Sequence, residues 1–179
     1  MSVLKKVLIG LAIVIAIPFV IAAFVKGEYK VLREITINRP KQDVFNYIKF
    51  MKNQENYSKW DTMDPAMKKS YSGTDGTIGF VSAWESKKDD VGVGEQEIKK
   101  ITEGERVDFE IRFKEPFEAT DAAFMTTETL SDSQTKVQWG FEGKMKYPMN
   151  LMMLFMDFEK IIGGDVETGL SRLKVVLEK

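Results

Sequence analysis

The sequence predicts an α+β fold: a curved antiparallel β-sheet wrapped around a long C-terminal helix, with an N-terminal transmembrane helix ahead of it. Three observations predict it. Val7 to Val25 (VLIGLAIVIAIPFVIAAFV) runs nineteen residues without a charge or an amide. The middle of the chain alternates apolar and polar residues in short runs divided by turn signals, the period of half-buried strands. Phe158, Ile162, Val166, Leu170, Leu173 and Leu177 recur at spacings of three and four, one stripe of an amphipathic helix.

The first element follows Lys5 and Lys6 and is long enough, at about 1.5 Å per residue, to cross a hydrocarbon core of about 30 Å. A cleaved signal peptide has a shorter apolar region, about 7–15 residues, ending in a small-x-small site. The candidate site here, Ile21-Ala22-Ala23, carries a bulky isoleucine. The reading is therefore an uncleaved membrane anchor over 1–27 and a single domain over 28–179. Pro18 is tolerated in a spanning helix when its freed carbonyl finds another partner. Lys5, Lys6 and the terminal amine favour a cytoplasmic N-terminus and an extracytoplasmic domain, while Lys26, Lys30 and Arg33 follow on the other flank.

Tyr29, Val31, Arg33, Ile35 and Ile37 alternate with Lys30, Leu32, Glu34 and Thr36, which predicts a strand with one polar lapse on its apolar side. Asn38-Arg39-Pro40 reads as a helix start, with Asn38 as capping side chain and the proline in the first turn. Val44, Phe45, Ile48 and Met51 form that helix's apolar stripe. A second short helix is expected over 54–60, ending before Asp64-Pro65. Gly73-Thr74-Asp75-Gly76 predicts a tight hairpin, with Ile78, Phe80, Ser82 and Trp84 following on one face. Lys87 to Asp90 turns into a strand over 91–102, and Glu103-Gly104 turns again. Val107, Phe109, Ile111 and Phe113 then alternate strictly with Arg106, Asp108, Glu110, Arg112 and Lys114, a half-buried antiparallel strand. From Ala119 to Leu130 the alternation is too weak to assign an inner face. Ser131-Asp132-Ser133 turns into a last strand with Val137, Trp139 and Phe141 facing in. Gly163-Gly164 and Gly169 interrupt the final helix stripe, as a kink or as a close-approach face.

Composition narrows the chemistry. The segment 28–179 retains 23 of the 26 basic residues, Lys5, Lys6 and Lys26 lying before it, and all 27 acidic ones, a net charge of −4. A mildly acidic domain whose lysines come only in pairs (Lys68-Lys69, Lys87-Lys88, Lys99-Lys100) is a poor nucleic-acid binder, because neutralising phosphates needs a basic surface. The chain has no cysteine and no histidine. Disulfides, thiolate nucleophiles, Ser-His-Asp triads and imidazole or thiolate metal sites are excluded. No metal or cofactor is expected, and any catalysis would fall to carboxylates, Lys, Tyr or bound water.

The Gly-x-Gly of Val91-Gly92-Val93-Gly94-Glu95 has strands on both sides and no third glycine, so a bulge or close backbone approach outweighs a phosphate cradle. Glu95, Glu97, Glu110, Glu128 and Glu142 are read as solvated surface, with Glu128 the one whose face is undecided. Asn56-Tyr57-Ser58 is a glycosylation sequon that means something only in a host that reads it. The aromatic set is different in kind. Under one curved sheet with the terminal helix across its concave side, Trp60, Phe80, Trp84, Phe109, Phe113, Trp139 and Phe141 converge, as a packed core or as the lining of a cavity. Met145 to Met156 holds five of the ten methionines. Adaptable, polarisable methionine suits a plastic apolar pocket, and Met152 and Phe155 are added to the candidate lining on that ground. Contact with the nearby bilayer is the competing use of that segment.

The order strand, two short helices, antiparallel strands and long terminal helix resembles the START-like, helix-grip superfamily (SRPBCC), in its polyketide cyclase/dehydrase and lipid transport branch. Glu34-Ile35-Thr36-Ile37-Asn38-Arg39-Pro40 with Val44-Phe45, Tyr57-Ser58-Lys59-Trp60, Gly79-Phe80 with Trp84, Gly92-Val93-Gly94, Val137-Gln138-Trp139 and Gly169-Leu170-Ser171-Arg172-Leu173-Lys174 carry the resemblance, which spans 29–179. None is a catalytic motif; they specify the fold. The resemblance implies a deep cavity between sheet and C-terminal helix that takes lipids, sterols, polyketides or other apolar molecules. Many enzymatic members of the family use a cavity histidine, which this chain lacks. Three functions follow as expectations: a membrane-anchored binding module for a hydrophobic small molecule or lipid, a cofactor-free enzyme with Glu128 or Tyr147 as acid–base group, or a protein-interaction or stress-response domain with a filled core.

Overall fold

The computed structural model describes residues 2–179. α1 (Val3–Ala22) is one unbroken helix through Pro18, with the Ser2 hydroxyl capping Lys5 N–H. Its mean hydropathy reaches 2.4 and its side chains are unburied along nearly the whole length. Twenty residues at about 1.5 Å each span roughly the thickness of a hydrocarbon core.

Seven strands form one fully antiparallel sheet in the order β1-β7-β6-β5-β4-β3-β2. They are β1 (Glu28–Ile37), β2 (Lys68–Ser72), β3 (Val81–Glu85), β4 (Val93–Thr102), β5 (Arg106–Glu115), β6 (Ala119–Ser131) and β7 (Gln134–Lys144). Between β1 and β2 come α2 (Lys41–Ile48), a 3-10 turn (Met51–Asn56) and α3 (Lys59–Met63); a second 3-10 turn (Met149–Leu154) precedes α4 (Phe158–Leu177). This is the helix-grip arrangement that the sequence predicts. The inner face of the sheet carries Val31, Ile37, Val107, Phe109, Ile111, Met125, Val137, Trp139 and Phe141 into one core with Val166, Leu170 and Leu173 of α4. Burial of this apolar set is what makes β5 and β7 alternate so cleanly.

The outer face is charged. Arg112 Nε donates to Glu95 and its Nη1 to Glu97, both at 2.7 Å, and also pairs with Glu110. These partners, with Lys114 and Lys99, hold Glu95 and Glu97 below the ordinary carboxylate range. Glu142 pairs with Lys30 at 3.1 Å and Glu128 with Lys136 at 2.5 Å, so the five glutamates all stand on the convex side.

Several local expectations are corrected. Asn38 does not cap α2: its Oδ1 accepts from Gln134 Nε2 at 2.8 Å, and Pro40 flanks the helix instead of entering its first turn. The single helix expected over 54–60 is two pieces, the first 3-10 turn and α3, because Ser58 interposes as the cap of α3. The tight hairpin at 73–76 is a longer loop over 73–80 that joins β2 to β3, with Gly73, Gly76 and Gly79 at positive φ. Ile78 is exposed in that loop, and Phe80 is buried just ahead of β3. β4 begins at Val93 rather than Val91, after Gly92 at φ +64°. A β-carbon at Gly94 would meet the Trp84 indole, and the register of β4 on β5 shifts beside it, so bulge and close approach both occur.

α4 runs without interruption, so Gly163 and Gly169 make a close-approach face rather than a kink, while Gly164 faces open space. Gly163 leaves room for the Arg33 guanidinium, whose Nη1 meets Glu159 at 2.6 Å, and Gly169 receives the edge of the Trp139 ring. The C-terminal end of α4 is pinned. Arg39 Nε donates to Leu177 O at 2.6 Å, Lys174 Nζ to Thr36 O at 2.8 Å, and the amide of Asn38 to Glu178 at 2.6 Å. The N-terminal end of α4 leaves space beneath it.

Candidate functional site

That space is a cavity of about 430 Å³ between the concave sheet, α3 with the first 3-10 turn, and the start of α4. Trp60, Trp84, Phe113, Trp139 and Phe141 stand on its wall, with Ile111 and Ala123 between them. Trp60 meets Trp139 edge-on with centroids 5.9 Å apart, and Trp84 meets Phe113 likewise at 6.0 Å. All three tryptophans of the chain are therefore wall residues. The other expected lining residues lie elsewhere. Phe80 and Phe109 are in the closed core, Phe80 stacked on Tyr71, because each side chain is enclosed by neighbours before it reaches the space. Met152 is half-buried off the wall, and Phe155 is 82 % exposed. From the methionine-rich segment, Met145, Met149 and Met156 reach the cavity instead.

The wall also holds polar groups that the sequence reading missed. Tyr29 of β1 and Asp121 of β6 reach over β7 towards each other, and the Tyr29 phenol donates to Asp121 Oδ2 at 2.6 Å. They meet across Gly143, where any β-carbon would collide with both. Asp121 is buried, and its Oδ1 has no protein partner. Burial pushes the Asp121 carboxyl above its ordinary range, against the opposing pull of the Tyr29 hydrogen bond and the Lys144 backbone N–H; burial, with Asp121 beside it, drives the Tyr29 phenol upwards. At the opposite side Lys69 bonds Asp61 at 2.6 Å and lies 3.5 Å from Glu55, which also accepts from the Tyr71 phenol. Buried Gln54 adds a second unpartnered atom, Nε2. Neither Glu128, which is outside the sheet, nor Tyr147, which is exposed, stands on the wall. Among the described residues no group of three or more Asp or Glu is placed to hold a metal ion.

Asp121 has a testable pH signature. An unfolded aspartate titrates near about pH 4, whereas the folded carboxyl holds its proton higher. The folded state thus binds more protons, and this group's contribution is full below the unfolded pKa and lost as pH rises through the folded one. Asp121→Asn is expected to match the parent's stability near pH 4 and to exceed it increasingly towards pH 7. Chemical unfolding at a series of pH values checks this, and a parallel pair of curves would reject it.

No family model and no curated protein matches the chain. Solved structures do. Norcoclaurine synthase from Thalictrum flavum, in complex with dopamine and hydroxybenzaldehyde, superposes with a TM-score of 0.64 at 8 % identity, over 88 % of this chain and 90 % of that one. The Aha1 dimer from Colwellia psychrerythraea gives 0.56 at 16 % identity, over 84 % and 96 %. Ara h 8.0201 gives 0.55 at 15 % identity, over 85 % and 96 %. The chain shares with them the helix-grip fold, a curved antiparallel sheet around a long C-terminal helix. At these identities the likeness is one of fold.

Proposed function

We propose that this protein is a membrane-anchored binding module for a hydrophobic small molecule or lipid, held in the cavity between sheet and C-terminal helix. The single observation behind the reading is the cavity: about 430 Å³, walled by aromatic and aliphatic side chains, with a few polar groups at its ends. The wall also carries charged and amide side chains, among them Glu55, Asp61, Lys69, Gln96 and Asp121, and the volume is that of a small-molecule pocket. We further assign it to the polyketide cyclase/dehydrase and lipid transport branch, with α1 as an uncleaved anchor and the domain on the extracytoplasmic side. The tether would raise the module's effective concentration near a membrane-partitioned ligand without any chemistry of its own.

The test uses residues 28–179, purified gently, by native mass spectrometry and organic extraction of whatever co-purifies. A stoichiometric apolar adduct is expected. It should be lost, with at least tenfold weaker rebinding, in Ala123→Phe and in Ser82→Trp, which place bulk on the wall from a central and an outlying strand. Rebinding is read from intrinsic fluorescence, since every tryptophan faces the ligand. A clean mass that survives exposure to a lipid extract would overturn the binding reading in favour of a protein partner.

A second reading, cofactor-free catalysis on an apolar substrate, draws on Asp121. A carboxyl whose hold on its proton is strengthened by burial, beside a phenol, could donate that proton inside an apolar pocket. Turnover of a bound substrate that vanishes in Asp121→Asn while binding persists would distinguish it from simple carriage.

A further inference from the structure

The end of α1 is fastened to the rim of the cavity. Asn150, buried in the second 3-10 turn, donates through Nδ2 to the carbonyls of Ala22 and Val25, each at 2.7 Å. The Met145 amide donates to Gly27 O at 3.0 Å, and Phe19 lies against Tyr147 with ring centroids 6.4 Å apart. Together these ties fix the height of segment 145–156 relative to the end of the helix. Phe19 is only about 5 Å along the axis from that end. A side chain beside it therefore sits, when α1 spans a bilayer, where acyl chains meet headgroups.

The surface at that height is built for such a boundary. Leu154 and Phe155 are exposed, and Met156, Phe117 and Ile161 are exposed where the cavity wall reaches solvent. Exposed lysines (Lys26, Lys30, Lys144, Lys146) and exposed acids (Glu28, Asp157, Glu159) flank them, with Lys144 paired to Glu28 at 3.1 Å. An exposed run of apolar and aromatic side chains flanked by charged ones is the composition of an interfacial segment, its carbon among acyl chains and its charges among headgroups.

Resting on the anchor reading above, we propose that segment 145–156 lies in the headgroup layer of the bilayer that α1 crosses. The cavity mouth at Phe117, Met156 and Ile161 then opens onto the acyl-chain boundary, and an apolar ligand passes between bilayer and cavity without crossing water. The occupant of this surface is lipid, and Asn150 is the residue that sets the register between anchor and mouth.

The chain has no cysteine, so one introduced thiol carries a unique environment-sensitive fluorophore. The full chain is reconstituted in vesicles of phosphatidylcholine and phosphatidylglycerol containing acyl-chain spin-labelled lipid. Labels at Phe155→Cys and Phe117→Cys are expected to shift to the blue and to be quenched several-fold. A label at Asp132→Cys, in the β6–β7 turn at the far end of the sheet, should be unaffected, and one at Ile13→Cys, within α1, should be quenched strongly. If position 13 is quenched while 155 or 117 behaves like 132, the inference is overturned and the anchor stands. If position 13 is not quenched, the anchor reading fails and takes the inference with it.

Discussion

Trp139→Ala is expected to lower the unfolding free energy by about 3–5 kcal/mol, the range for deleting a buried indole. Trp139 is only 3 % exposed, and its ring is met edge-on by Tyr57 at 5.8 Å and by Trp60 at 5.9 Å. Behind it lies Gly169 of α4. Removing the indole would join its own volume to the 430 Å³ already present, so the neighbours cannot collapse to heal the loss. Trp139→Phe keeps most of the contact and should cost well under half as much. Urea unfolding followed by circular dichroism reads both. Equal losses would mean that the ring's edge contacts contribute little and that mere bulk at 139 holds α4 in place.

Gly169→Leu should destabilise by about 1–3 kcal/mol through overpacking. A β-carbon at 169 would stand 2.7 Å from a ring carbon of Trp139, and that ring is itself wedged between Tyr57 and Trp60. Either the indole gives up its contacts with Tyr57 and Trp60 and shifts towards the cavity, or α4 lifts from β7. The same argument predicts a rescue. Once Trp139 is alanine, the leucine at 169 enters vacated space, and the double variant should be more stable than the sum of the single losses by roughly 1 kcal/mol or more. Strict additivity would show that the glycine serves some purpose other than receiving the indole.

These two positions were legible before any coordinates. Trp139 shares the inner face of β7 with Val137 and Phe141, and Gly169 interrupts an otherwise regular stripe on α4. β5 was equally plain, because its inner residues are all apolar and its outer ones all charged. β6 shows why the rest was not. Its inner face is Asp121, Ala123, Met125 and Thr127, while its outer face carries Phe124, which packs over Gly140 and under the Arg106 guanidinium at 3.8 Å. A polar residue inside and an aromatic one outside cancel the alternation. The strand whose pattern fails is the one that delivers Asp121 to the cavity, and function is where local rules are expected to break. β2 escaped for another reason. Lys68-Lys69-Ser70-Tyr71-Ser72 is an edge strand whose lysines suit an open edge and give no apolar period. Phe80 and Phe109 were correctly apolar and inward. Whether an inward ring meets another ring or a void depends on the neighbouring strands and helices, which spacing along one strand does not encode.

The pairing of β1 with β7 has a consequence for how the molecule is made. Glu28 and Lys144 are partners across 116 positions of sequence. The first strand to leave the ribosome thus waits for the last one, through roughly 100 residues of synthesis, or about 5–20 s. For that interval its Val31 and Ile37 have no sheet to join, and its backbone presents an open edge a few residues from α1. Chain growth, rather than any local hairpin, sets the moment at which this half of the grip can close. Until β7 is made, β1 keeps its edge open, and the strand that closes it lies roughly 100 residues further along the same chain.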